Sequence, residues 1–244
     1  MIVFLHGGVA RWGKITSLDI LEMCHWASQG VAVLAPTYRG EMGSEGRPNL
    51  GAGEVADVLH AVKAVEGIES IDSSRAVLWG FSRGGATAYR VLAASERFRA
   101  AVILAGPTDR IGDPRREEFH THVYPGIVDD YESDPDSALG AISAIQWPER
   151  LARGTSLTLL HGDADRRVPV RDSQRMADAL RSIGRSVELL VVPDAGHSLR
   201  ERWPWVRRRV GKVLERALGR RAGRNPTTRT QGEGATPDHS EAKP

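Results

Sequence analysis

The hexapeptide Gly80-Phe81-Ser82-Arg83-Gly84-Gly85 constrains this chain more than any other segment. It follows directly on an apolar, β-rich run at 76–80 and directly precedes a helical pattern at 84–94, so the chain must pass from strand to helix at a serine. A serine at the tip of such a turn sits in strained backbone, with its hydroxyl pushed out at the carboxyl end of a sheet. Gly80 and Gly84 suit the bend because side chains there would collide with backbone across it. The plainer alternative is a glycine-rich turn that merely joins two elements.

The rest of the chain supplies the sheet. Nearly continuous apolar runs at 2–5, 31–35, 76–80, 100–105, 156–161 and 187–192 are expected as strands buried on both faces. Between them lie helical patterns at 17–29, opened by Ser17 as a cap, and at 54–65, 84–94, 173–183 and 205–218. This alternation predicts an α/β domain, a mostly parallel sheet with helices on both faces, over residues 1–218. The stretch 107–153 is polar and holds Pro114, Pro125, Pro135 and Pro148, with weak helical patches near 115–120 and 135–145. It reads as a small cap-like excursion from the sheet. From 219 to 244 almost no apolar residue occurs, and a disordered tail is expected.

Charge and composition exclude several classes. The 33 Lys and Arg residues against 31 Asp and Glu leave a formal net charge of +2, which makes no case for nucleic acid. The longest apolar stretches are too short to span a bilayer, and the opening MIVFLHGG reads as a strand rather than a signal peptide. The single cysteine, Cys24, excludes an internal disulfide, suits a reducing compartment such as the cytoplasm, and is expected to be a small buried hydrophobe.

A serine hydroxyl is a weak nucleophile until a base takes its proton. The base is expected after the last strand, where Val191-Val192-Pro193-Asp194-Ala195-Gly196-His197 supplies His197. Other histidines are less well placed: His25 and His60 lie in helical patterns, His120 and His122 in the excursion, and His239 in the tail. The base needs a carboxylate to fix its tautomer. Two stand at the end of the preceding strand, in HGDADRRVP at 161–169. Asp165 is further out on the loop, where it can reach the histidine; Asp163, closer to the strand, is the alternative and can instead hydrogen-bond the turn. His6-Gly7-Gly8, after the first strand, completes the set. Backbone N–H groups of Gly7 and Gly8, with that of Arg83 after the serine, are expected to face a developing oxyanion, while His6 braces the loop.

With these residues assembled, the sequence resembles the catalytic domain of the prolyl oligopeptidase family of serine peptidases, over roughly 1–218. The resemblance rests on HGG at 6–8, TYRG at 37–40, Asp57 in the helix before the serine turn, GFSRGG at 80–85, AGPTD at 105–109, HGDADRRVP at 161–169 and GH at 196–197. It implies an α/β-hydrolase fold and a triad of Ser82, Asp165 and His197. It further implies cleavage of short peptides through an acyl-enzyme, with no metal or cofactor. The chain departs from the family twice. The larger members carry a substrate-filtering β-propeller, and no propeller-like repeat occurs in these residues, so exopeptidase specificity does not carry over. The fold also usually has strands before the one leading into HGG. The first strands are therefore expected to be missing, leaving a sheet edge on which a homo-oligomer can form. A peptidase acting on small peptides is the leading expectation. An esterase of the dienelactone hydrolase or carboxylesterase kind is the second, and a non-catalytic binding module the third. No nucleic acid or membrane partner is expected.

Overall fold

Strands that are apolar at every position must be covered on both sides, and this chain covers them with helices. The computed structural model describes residues 1–9 and 13–219. The first half runs β1 (Ile2–Leu5), α1 (Ser17–Ala27), β2 (Val33–Leu34), α2 (Ala52–Ala64), β3 (Ala76–Phe81), α3 (Arg83–Ala94) and β4 (Phe98–Leu104). The second half runs α4 (Arg116–His122), α5 (Pro135–Ala141), β5 (Ser156–Gly162), α6 (Val170–Ser182), β6 (Val187–Val192) and α7 (Trp203–Leu218). The strands form one six-stranded sheet in the order β2-β1-β3-β4-β5-β6, and every neighbouring pair is parallel.

Alternate side chains along each strand serve opposite layers. Ile2, Phe4, Val77, Trp79, Val102 and Leu104 meet Trp26 of α1 and Val206, Val210 and Leu214 of α7. Val3, Leu5, Leu78, Ala101, Ile103 and Leu159 meet the layer of α2, α3 and α6, through Val58, Val62, Tyr89, Leu92, Met176 and Leu180. Right-handed crossovers explain the split. The chain steps one way from β1 to β2 and then reverses for β3 and every later strand, so the covering helix changes face when the direction changes. The reversal leaves β1 and β3 adjacent, with the loops at their carboxyl ends leading apart, which is where an open α/β sheet forms its binding crevice. Those two loops begin at His6 and Ser82.

Several elements differ from expectation. α1 is capped by Thr16 rather than Ser17: Asp19 N–H donates to Thr16 Oγ1 at 3.3 Å, and Thr16 N–H donates back to Asp19 Oδ2 at 2.7 Å. Cys24 is exposed, not buried. α1 turns Glu22 and Trp26 inward, and Glu22 accepts from Arg207 at 2.6 Å and from Trp203 Nε1 at 2.9 Å on α7. Leu18, Ile20 and Leu21 share the exposed side with Cys24. β2 shortens to Val33 and Leu34, paired with Ile2 and Val3 at one edge of the described sheet. α6 and α7 begin at Val170 and Trp203, earlier than expected, each close to a proline that suits a helix start.

Residues 107–153 carry α4 and α5 and build a small core of their own from Tyr124, Val128, Tyr131, Leu139 and Ile142, against which Val9 of the loop after β1 packs. Their end rejoins the main core through Trp147 and Leu151. No helix among the described residues is long and apolar enough to cross a membrane. The expected tail lies outside the described residues, except Gly219, whose φ of 66° closes α7.

Candidate active site

The turn after β3 is tight because backbone fills the space that side chains would need. A Cβ on Gly80 would lie 2.4 Å from the Gly84 carbonyl oxygen, and one on Gly84 would lie 2.0 Å from the Leu5 carbonyl oxygen. Ser82 between them takes φ 55° and ψ −121°, a conformation costing on the order of 1–3 kcal/mol that persists only where the surroundings impose it. They do so through Ser82 N–H, which donates to Leu104 O at 2.9 Å, and through Ser82 O, which accepts from Gly85 and Ala86 N–H at 2.8 and 3.2 Å. The half-buried Ser82 is left at the carboxyl end of β3, beside the loop that follows β1.

His197 reaches Ser82 from the loop after β6. Ser82 Oγ–H donates to His197 Nε2 at 2.9 Å, and Nδ1–H donates to Asp165 Oδ2 at 2.7 Å. The Phe81 ring lies 5.2 Å from the imidazole and walls it on one side. Asp165 is fixed from its own loop, since Oδ1 accepts from the N–H groups of Arg167 at 2.8 Å and Val168 at 3.0 Å. Burial alone would raise the Asp165 pKa. Hydrogen bonds from His161, His197 and Val168 outweigh it and hold the carboxyl well below the usual range. The other acid, Asp163, is turned away: its Oδ1 accepts from Asp194 N–H at 2.8 Å, joining the loop after β5 to the loop after β6.

Gly7 lies against the serine, since a Cβ built on it would approach Ser82 Cβ to 3.2 Å. His6 braces this loop through its Nδ1, which donates to Gly7 O at 2.9 Å, and its ring stacks obliquely on Tyr38 at 4.4 Å. Arg83, the residue after the serine, opens α3. Thus Ser82, His197, Asp165, Gly7 and Arg83 come to one place, with Gly8 next in the same loop. The arrangement can draw the hydroxyl proton onto Nε2 and hold the resulting imidazolium against a carboxylate. Among the described residues no group of three His, Cys, Asp or Glu side chains is placed to hold a metal ion.

The structure also holds residues that sequence reasoning passed over. His161, 0% exposed, sits behind Asp165 with Nε2 3.2 Å from Oδ2 and 3.0 Å from Val168 O, while Ser173 Oγ lies 2.7 Å from its Nδ1. Two acceptors at Nε2 require the proton there, so Ser173 donates to Nδ1. Below the serine turn, the buried Glu54 meets Arg83, Arg90 and Thr87. Glu54 falls four residues before Val58 on the apolar face of α2, and an acid on such a stripe was the available signal. Asp57, part of the family resemblance, accepts from Arg39 at N–H, Nε and Nη2 between 2.8 and 3.1 Å and ties the loop after β2 to α2.

The prolyl oligopeptidase family model matches residues 16–214. An uncharacterised peptidase, YtmA, of Bacillus subtilis is 26% identical over 195 residues, covering 76% of this chain and 71% of that protein. The solved puromycin-hydrolysing peptidase of Mycobacterium tuberculosis superposes with a TM-score of 0.71 at 24% identity, covering 91% of this chain and 34% of its own. The Pyrococcus furiosus esterase Pf2001 superposes with a TM-score of 0.69 at 22% identity, covering 89% and 82%. This chain thus spans about a third of the larger peptidase. It belongs to the prolyl oligopeptidase family and is, with that family, a serine hydrolase of the α/β-hydrolase fold.

Proposed function

We propose that the protein hydrolyses acyl bonds of short peptides through an acyl-enzyme on Ser82. Oγ attacks the scissile carbonyl carbon as its proton passes to His197 Nε2, and Asp165 holds the imidazolium. The N–H groups of Gly7, Gly8 and Arg83 receive the oxyanion. Collapse of the tetrahedral intermediate breaks the bond to the leaving amine, which takes the proton from Nε2, and water repeats the sequence in reverse on the acyl-serine. The observation that carries this reading is the unbroken donor line from Ser82 Oγ to Nε2 at 2.9 Å and from Nδ1 to Asp165 at 2.7 Å. The exposed free thiol of Cys24 suits a reducing compartment, and we place the protein in the cytoplasm.

Esters are the second reading, favoured by the fold shared with the Pyrococcus furiosus esterase over most of both chains. A fluorophosphonate probe is expected to label the protein and to fail on Ser82→Ala. Absence of labelling on the folded wild type sinks both readings. Aminoacyl p-nitroanilides assayed beside p-nitrophenyl esters then separate them, and turnover of the esters alone replaces the first reading with the second.

A further inference from the structure

Beneath the serine turn lies a set of buried charges that the proposed reaction does not touch. The Arg83 side chain is 2% exposed and donates from Nε and Nη2 to Glu54 and from Nη1 to Glu41, the last at 2.5 Å. These two carboxylates already balance its charge. A further donation from Nη1 goes to the carbonyl of Gly8, at 2.8 Å, and the guanidinium lies over the Tyr38 ring at 4.6 Å. Tyr38 OH in turn donates to His6 O at 3.3 Å, and His6 Nδ1–H donates to Gly7 O at 2.9 Å. Three consecutive carbonyls of the loop after β1 therefore each end on a side-chain donor.

In a trans peptide the C=O and N–H point in opposite directions. A carbonyl drawn into the protein turns the N–H that follows it outward. His6 O thus sets the direction of Gly7 N–H, and Gly7 O sets that of Gly8 N–H. The His6 tautomer agrees: Gly7 O can only accept, so the proton is on Nδ1, and the buried Nε2 has no partner among the described residues.

From this geometry we propose that Tyr38 and His6 are positioning residues that aim the Gly7 and Gly8 N–H groups at the oxyanion, and that Arg83 steadies the same loop through Gly8 O and the Tyr38 ring. Arg83 then serves the hole twice, by its own backbone N–H and by anchoring Gly8 O, the carbonyl just beyond the two aimed N–H groups. The proposal rests on the serine-hydrolase reading above.

The test uses Arg83→Lys and Tyr38→Phe in the full chain, each normalised by active-site titration so that only folded enzyme is counted. Arg83→Lys keeps the charge beside Glu41 and Glu54 but cannot hold Gly8 as well. It is expected to lower kcat about 10- to 100-fold, less than the loss on deleting a hole donor outright. KM should change less than twofold, and the Ki of a peptide boronate, whose tetrahedral adduct occupies the hole, should weaken in step with kcat. Tyr38→Phe removes one hydroxyl and leaves every ion pair, so it guards against misfolding of the lysine variant; a several-fold loss of the same pattern is expected. A structural brace would lower Tm and leave kcat per titrated site and the boronate Ki unchanged, and that outcome overturns the proposal. If the wild type takes no fluorophosphonate, the function itself falls; if the wild type is labelled and the variants keep full kcat, this inference alone falls.

Discussion

Asp165 and Glu54 are both carboxylates with fully buried side chains, yet they are neutralised differently. Glu54 faces two guanidinium groups, those of Arg83 and Arg90, and a threonine hydroxyl. Its charge is cancelled by opposite charge, and what remains is a geometric clamp between α2 and α3. Asp165 is met by two imidazoles and two backbone N–H groups. Those donors stabilise the carboxylate while leaving its negative charge uncompensated until His197 takes a proton. The difference shows how one domain separates a carboxylate that holds structure from one suited to chemistry: the choice lies in the charge of the partners, since burial is the same.

The sharpest way to break this contrast is to remove each charge in turn. Asp165→Asn should cost about 10⁴-fold in kcat, because the wrong imidazole tautomer is then favoured; steady-state kinetics decide it. Glu54→Gln should instead lower stability by about 3 kcal/mol in urea unfolding as Arg83 and Arg90 lose their shared carboxylate. A stable but inactive Glu54→Gln would erase the distinction.

Smaller effects sharpen it. His161→Phe removes a donor from Asp165, which makes that carboxylate more basic toward His197. The rate should fall about tenfold, and the acid limb of the kcat/KM profile should move to higher pH; an unmoved limb excludes His161 from the charge balance of the site. The depressed Asp165 pKa carries a stability that is complete above the unfolded value of about 4 and lost as pH falls below it. Asp165→Asn should therefore flatten acid unfolding, and an identical acid limb in both proteins contradicts the shift. Asp163→Asn should change kcat less than about threefold, since its carboxylate serves the Asp194 backbone.

What could be read from sequence follows from what each residue's neighbours impose. Strands of the sheet interior were legible because burial on both faces forces apolar residues at every position, whereas the apolar run at 31–35 pairs with β1 at Val33 and Leu34 only and was overextended. Cys24 was misjudged for a related reason. α1 carries apolar residues on two sides, and periodicity does not tell which side faces Trp203 and Arg207 of α7. Ser82, Asp165 and His197 stood out because each follows a strand end in the chain order of the fold. Glu54 did not, because its partners lie 29 to 36 residues away and local pattern is blind to them; His161, four residues before Asp165, did not because it ends an apolar strand run and reads there as part of the strand.

The reversal of strand order between β1 and β3 has a consequence for the chain while it is being made. The loop of Gly7 and Gly8 and the serine turn follow β1 and β3, but the histidine follows β6, the last strand in sequence among the described residues. Because domains emerge from the ribosome amino end first, the nascent chain carries its serine long before the group that would activate it. On the proposed triad, a chain interrupted before β6 holds the nucleophile without its base, so activation of the serine waits on completion of the sheet at that edge.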